Sequence, residues 1–204
     1  MTQNTSTAVM QRRVEPHDSL DFFPTPPWAT RALCERVLGG GDSLSSLSVW
    51  EPACGEGHMA RPLAEYFTEV YSSDVHLYGH GDVVDFLMPS PLGFDWVITN
   101  PPFRLGLEFA FAALGRARKG VALLVRIAFL ESVGRYYGLF RVRPPTIIAQ
   151  FAERVPMVKG RLSNKATTAT AYCWLVWMQG WRGQTEFQWI PPCRKNLERE
   201  GDYE

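Results

Sequence analysis

The chain has 204 residues, 46% of them hydrophobic and 21% charged. That is one domain's worth, enough to bury roughly 70% of its unfolded surface without disulfide staples. No apolar run approaches the roughly 18 residues of a membrane span, and 21 Lys/Arg against 21 Asp/Glu argues at first sight against a nucleic-acid binder.

Residues 1–18 are polar, without helical or strand period and without the apolar centre of a secretory signal, and read as a flexible arm. Asp21-Phe22-Phe23-Pro24-Thr25-Pro26-Pro27 follows as a rigid extended stretch, because each proline biases its predecessor away from the helical region. Thr25 is placed to cap a helix that opens on Pro26 and Pro27, runs through Leu33 and Val37, and stops at Gly39-Gly40-Gly41. Strand and helix then alternate. Strands are expected at 47–50, 70–73, 94–99, 121–125, 146–149, 172–178 and 186–190, and helices at about 59–67, 107–117 and 131–140. Nearly all-apolar strands between helices indicate a mostly parallel sheet covered on both faces, an α/β domain over residues 19–190. Residues 191–204 read as a charged tail. The four cysteines, Cys34, Cys54, Cys173 and Cys193, are scattered and show neither disulfide nor zinc spacing; no metal is expected, and a reducing cytoplasm is the expected location.

In such sheets ligands bind beyond the carboxyl ends of the strands. After the first strand comes Glu51-Pro52-Ala53-Cys54-Gly55-Glu56-Gly57, whose glycines allow close backbone approach to a ligand and whose following helix start offers N–H donors. It is neither a Gly-x-Gly-x-x-Gly fingerprint nor a Walker loop. Asp74 ends the next strand, nineteen positions after Gly55, where a carboxylate can bind ribose hydroxyls. Asn100-Pro101-Pro102-Phe103, directly after Val97-Ile98-Thr99, is the sharpest signal. Two prolines fix the backbone and remove two N–H groups, leaving carbonyl acceptors; Asn100 adds another acceptor and Phe103 a flat apolar face. Such a site suits a planar group with an exocyclic amine. Trp50, Trp174 and Trp177 are expected in the core, Trp28 next to ligand, and His58 as a helix cap.

In order, these motifs resemble the S-adenosylmethionine-dependent adenine-N6 DNA methyltransferases, the small phage and prophage-borne members above all, over residues 21–188. The resemblance implies a Rossmann-like class I methyltransferase fold, a mostly parallel seven-stranded sheet flanked by helices, with S-adenosyl-L-methionine as cofactor. It implies that Phe23, Thr25 and Pro26 close over the cofactor's methionine end. Glu51, Pro52, Ala53, Cys54, Gly55 and Gly57 would form the cofactor loop, with Cys54 a packing residue and not a nucleophile, and Asp74 would bind ribose. Asp85 and Phe86 would contact the cofactor's adenine, and Asn100, Pro101, Pro102 and Phe103 would form the catalytic tetrapeptide, Asn100 also bordering the cofactor. A base inside a duplex would be flipped out to stack on Phe103.

No separate target-recognition domain is visible, so recognition is expected from loops, from substrate shape, or from a second copy or partner subunit. Lys159, Arg161 and Lys165, in the polar stretch 158–170, are the candidate substrate contacts. Arg126 to Glu131, after the strongest strand, is expected to line the substrate side. DNA is the favoured acceptor; RNA, a Gln side chain, a small molecule, or a catalytically silent binding module on the same fold are the alternatives. The zero net charge is an average. Residues 1–103 hold five Lys/Arg against thirteen Asp/Glu, whereas residues 104–165 hold twelve against three, a basic stretch able to attract a phosphate backbone.

Overall fold

The structure, a computed structural model, describes residues 21–90 and 93–203. The expected arm, residues 1–18, lies outside the described residues. Eight strands form one sheet: β1 (Ser48–Glu51), β2 (Glu69–Asp74), β3 (Asp82–Val83), β4 (Trp96–Thr99), β5 (Gly120–Arg126), β6 (Ile147–Phe151), β7 (Tyr172–Met178) and β8 (Glu186–Ile190). Their order is β3-β2-β1-β4-β5-β7-β6-β8. β7 runs antiparallel to both β5 and β6, and every other pairing is parallel. The chain reverses its winding between β1 and β4, which places a crevice at their carboxyl ends.

Seven strands were expected; the eighth is β3. It is two exposed residues long, too short to carry a hydrophobic period, so its pairing with Ser73 and Asp74 of β2 left no sequence signal. Every residue of β1 and β4, and of β5 up to Val125, is buried, which explains their continuous apolar runs. Successive side chains enter opposite layers: Val49, Ile98, Ala122 and Leu124 join one core, and Trp50, Val97, Val121 and Leu123 the other.

The first core is roofed by α1 (Pro27–Arg36), α3 (Ala60–Leu63) and the short α6 (Arg194–Leu197). The second is covered by α4 (Gly106–Arg116) and by a turn that continues α5 (Val133–Arg135) in π geometry over Tyr136–Phe140. One further helical turn, α2 (Gly41–Leu44), leads into β1. The expected helix over 131–140 is therefore broken in character, with Gly134 and Gly138 weakening it. That over 59–67 is helical only across α3 and ends in turns closing on Leu63.

Residues 191–203 pack against α1 and are part of the domain. Cys193 and Leu197 are buried four positions apart on α6 and its cap. Arg31, 3% exposed, donates to Glu65, to both Asp202 oxygens and to the Leu197 carbonyl. Burial alone lowers the pKa of a guanidinium, but hydrogen bonds from Arg31 to Asp202 and Glu65 outweigh it and hold it above its ordinary value. Two apolar residues in a charged stretch did not announce this docking.

Candidate active site

The carboxyl ends of β1, β2, β4 and β5 bring Glu51, Asp74, Asn100 and Arg126 to one end of the sheet. A cavity of about 530 Å³ opens there, between the strap 21–25, the turn after β1, the segment 74–78 and the tetrapeptide. Phe23, Thr25, Glu51, Pro52, Ala53, Asp74, Asp85, Phe86, Asn100, Pro101, Pro102 and Phe103 all line it. Pro26, Cys54, Gly55 and Gly57 do not. Gly55 (φ +50°) and Gly57 (φ +85°) have a steric reason within the protein itself: a Cβ there would lie 2.5 Å from the Phe22 ring and 2.7 Å from His80. They admit two aromatic side chains that clamp the loop.

Asn100 is held in one orientation. Its Nδ2 donates to the Phe23 carbonyl (3.0 Å) and to Thr25 Oγ1 (3.1 Å), with Met157 Sδ at 3.7 Å. A carbonyl can only accept, so the amide nitrogen is fixed on the strap side. Asn100 Oδ1 is then left buried with no partner among the described residues. This geometry corrects the expected cap: α1 opens at Pro27 with Pro26 as its cap residue, and the Thr25 hydroxyl serves Asn100 instead. The Pro102 carbonyl accepts from the Leu105 N–H (2.9 Å), leaving that of Pro101 as the pair's remaining acceptor among the described residues. Asp21 Oδ2 accepts from the Phe103 N–H at 2.6 Å, and the Phe103 ring packs 4.8 Å from Phe23. Arg126 lies over Phe103 with its guanidinium carbon 3.6 Å from the ring centroid.

Three acidic positions differ in environment. Asp74 is buried, and its two oxygens accept the N–H groups of Gly55 and His76, each at 3.0 Å. Glu51 is 1% exposed; Oε1 takes the Thr99 hydroxyl (2.9 Å), while Oε2 has no partner among the described residues. Burial pushes the Glu51 carboxyl up to about 8, with the nearby Asp74 charge adding and the Thr99 hydrogen bond opposing. Asp85, by contrast, is exposed and accepts the Leu87 N–H (2.9 Å). Burial, reinforced by the Glu51 and Asp74 charges, likewise pushes the Cys54 thiol up to about 12, so it stays protonated at neutral pH and is no nucleophile.

Several expectations change. Trp28 is fully buried, edge-on to Phe151, and lines neither this cavity nor a smaller one beside it; Trp50, Trp174 and Trp177 are core residues as expected. His58 does not cap a helix. α3 starts at Ala60 behind Met59, and His58 Nε2 sits 3.8 Å from Glu56. Burial lowers its pKa. Lys159, Arg161 and Lys165 line neither this cavity nor the smaller one, although the Gly160 N–H seats their loop on the Phe22 carbonyl (2.9 Å). Of the stretch after β5, Arg126, Ala128 and Phe129 line the smaller cavity, while Ile127 and Leu130 pack on the core. Missed in the sequence were Asp21 and Met157, which meet the tetrapeptide from 82 and 57 positions away, and His76 and Tyr78 on the cavity wall.

The architecture is shared with known enzymes. A methyltransferase subunit of a type I restriction-modification system from Streptococcus thermophilus superposes with a TM-score of 0.63 at 11% identity, over 89% of this chain and 49% of that one. The fold is the class I methyltransferase fold. A modification subunit of a proposed type I restriction enzyme from Vibrio vulnificus matches over 88% of this chain and 50% of its own, with TM-score 0.59 and 17% identity. A Pyrococcus horikoshii protein proposed to be an RNA methyltransferase matches over 81% and 90%, with TM-score 0.62 and 15% identity. The chain thus spans about half the length of the two restriction-modification subunits. No family model and no curated protein sequence matches it. Among the described residues no helix is long and apolar enough to cross a membrane.

Proposed function

We propose that this protein is an S-adenosyl-L-methionine-dependent methyltransferase acting on the N6 amine of adenine in DNA. The observation that carries this reading is Asn100 Oδ1, a buried acceptor without a partner among the described residues, fixed in direction by three contacts on its own amide nitrogen. A buried oxygen left unsatisfied is costly and calls for a donor from the ligand. An exocyclic amine offers two N–H donors, one for Asn100 Oδ1 and one for the Pro101 carbonyl. Both acceptors stabilise the positive charge that grows on nitrogen as its lone pair leaves the ring, and neither has to reorganise.

The larger cavity fits the cofactor. Its volume of about 530 Å³ falls in the range of small-molecule sites. Asp74, held by two backbone N–H groups, keeps lone pairs for two ribose hydroxyls. Glu51 Oε2 is an open acceptor for an ammonium, and Asp85 and Phe86 supply a carboxylate and a ring edge for an adenine. When bound there, the cofactor supplies an electrophilic methyl on a sulfonium. The protein contributes orientation and electrostatics, and no side chain forms a covalent bond.

The acceptor is assigned as DNA, approached through the basic stretch 104–165, with a second copy or a partner subunit supplying further recognition. The test is transfer of tritiated methyl to matched DNA, RNA and protein pools, followed by nucleoside analysis. N6-methyladenine in DNA is expected. Labelled RNA beside unlabelled DNA would overturn the DNA assignment. Asn100→Ala should abolish transfer while changing cofactor affinity only a few-fold; full activity in that variant would refute the chemistry.

A further inference from the structure

The smaller cavity, about 210 Å³, shares Pro101 and Phe103 with the larger one and is otherwise walled by Gly106, Val125, Ala128, Phe129 and Arg126, among others. No residue of the glycine loop belongs to it, so it opens on the opposite side of the tetrapeptide. It has room for one planar ring beside Phe103. That room is taken in part: the Arg126 guanidinium stacks on Phe103 at 3.6 Å, the layer spacing an aromatic base would itself need.

The backbone cannot move Arg126 away. Val125 before it is buried in the sheet, and the Ile127 N–H after it is bonded to the Ala171 carbonyl (2.9 Å). The side chain can. Its Nε is buried without a hydrogen-bond partner among the described residues, so the stacked position leaves that donor unsatisfied, and besides the ring the guanidinium is held by the Tyr172 hydroxyl. Arg135, the other cation on this wall, differs: it donates to the carbonyls of Phe129, Ala128 and Glu131 and is fixed. A guanidinium over the acceptor ring would also oppose the positive charge that develops on the amine. For transfer to proceed, the cation has to leave the ring.

We propose that Arg126 is a gate that makes the acceptor site selective for polynucleotides. Its guanidinium covers the Phe103 face until a phosphate flanking the extruded base draws it off, forming a charge-assisted, two-pronged pair with the satisfied geometry that the stacked position lacks. A neutral nucleoside has no phosphate and meets a closed face. This inference rests on the adenine-methyltransferase reading above.

The test compares the wild-type chain with Arg126→Ala and Arg126→Gln, using free adenosine and an adenine-containing duplex oligonucleotide as acceptors over a range of salt concentrations. The wild type should methylate the oligonucleotide and not adenosine. Arg126→Ala should raise transfer to adenosine at least tenfold relative to the oligonucleotide, and lower the salt slope of oligonucleotide binding by about 1. Arg126→Gln, planar but uncharged, should lose the same slope without gaining adenosine transfer, and it stands in if the alanine variant does not fold. S-adenosylmethionine affinity should stay unchanged in both; a purely structural role would lower it. A normal wild type whose acceptor ratio and salt slope do not move in either variant overturns the gate alone. A wild type that methylates no polynucleotide overturns the adenine reading and the gate together.

Discussion

Glu51 offers the most demanding test of how the site is built. Its carboxyl rises from 4.5 to about 8 because burial disfavours the charged form. The sign depends on which state holds the proton. Below pH 4.5 folded and unfolded chains are both protonated. Between 4.5 and about 8 the unfolded chain loses the proton and the native state keeps it, so stability falls as pH rises, and above 8 the loss is complete. At about 1.4 kcal/mol per pH unit the span amounts to about 5 kcal/mol. Relaxation of the protein around the buried charge reduces this to about 2 kcal/mol. Glu51→Gln keeps the Thr99 contact and removes the titration. The measurement is urea unfolding from pH 5 to 9 for both proteins, read as their difference, so that His58 and His80, whose pKa values burial lowers, cancel. The wild type should lose about 2 kcal/mol relative to Glu51→Gln across that range. Equal pH profiles would refute the buried, proton-holding carboxyl. A cofactor ammonium docking on Oε2 should in addition expel the proton near pH 7, visible as a buffer-dependent binding enthalpy.

Three further outcomes come from the geometry. Thr25→Val removes one of the contacts that orient Asn100 (3.1 Å), so kcat should fall about fivefold, the worth of about 1 kcal/mol, with cofactor affinity little changed; a larger loss of affinity than of kcat would contradict the positioning role. Arg31→Ala removes the buried guanidinium that ties Asp202 and the Leu197 carbonyl to α1, while Glu65 keeps Arg199 (3.0 Å); it should destabilise the fold by about 1–3 kcal/mol and expose residues 191–203 to proteolysis, and Arg31→Lys should not rescue it, since an ammonium cannot fork between two carboxylates. Arg161→Ala and Lys165→Ala should each lower the salt slope of oligonucleotide binding by about 1, whereas Arg141→Ala and Arg143→Ala at the opposite end should leave it unchanged. Equal effects at the two ends would refute the proposed binding face.

Burial on both faces forces the apolar run at 172–178, which coincides with β7, whereas 186–190 coincides with β8, an edge strand buried only at Ile190 and legible from its aromatic residues. Short or charged elements were not legible. β3 has two residues, and α6 reads as a polar tail because its attachment depends on Arg31, 171 positions from Asp202. The tetrapeptide was visible as a motif, but its orientation was not. That depends on a strap carbonyl, a threonine hydroxyl and a methionine sulfur that only the fold brings to Asn100. The Phe22 and His80 rings that fill the space beside Gly55 and Gly57 were not legible, because sequence gives a backbone's freedom without saying which side chain takes the space.

Charge shows the same difference between chain order and space. The basic stretch 104–165 is continuous in sequence but is cut in two by strand direction. β5 and β6 run parallel to β4, each in register through β7 or directly, so residues just after either strand lie at the tetrapeptide end and residues just before it lie opposite. Arg104, Arg126, Arg135, Arg154, Lys159, Arg161 and Lys165 fall at the tetrapeptide end. Arg118, Lys119, Arg141 and Arg143 fall at the other, where Arg118 pairs with Asp95 (3.4 Å), and Arg116 caps the carbonyls of Phe86 and Met88. Arg135 is tied to carbonyls of its own loop, and Arg126 to the face of Phe103. Arg154 donates to the Ala169 carbonyl (2.8 Å) and Lys159 has contacts of its own, so a polyanion approaching the site meets Arg104, Arg161 and Lys165 first, and Arg126 only by drawing it off the ring. Since each phosphate neutralised contributes about 0.9 to the salt slope, a slope of about 3 with the site closed and about one more with a base engaged is what this arrangement requires.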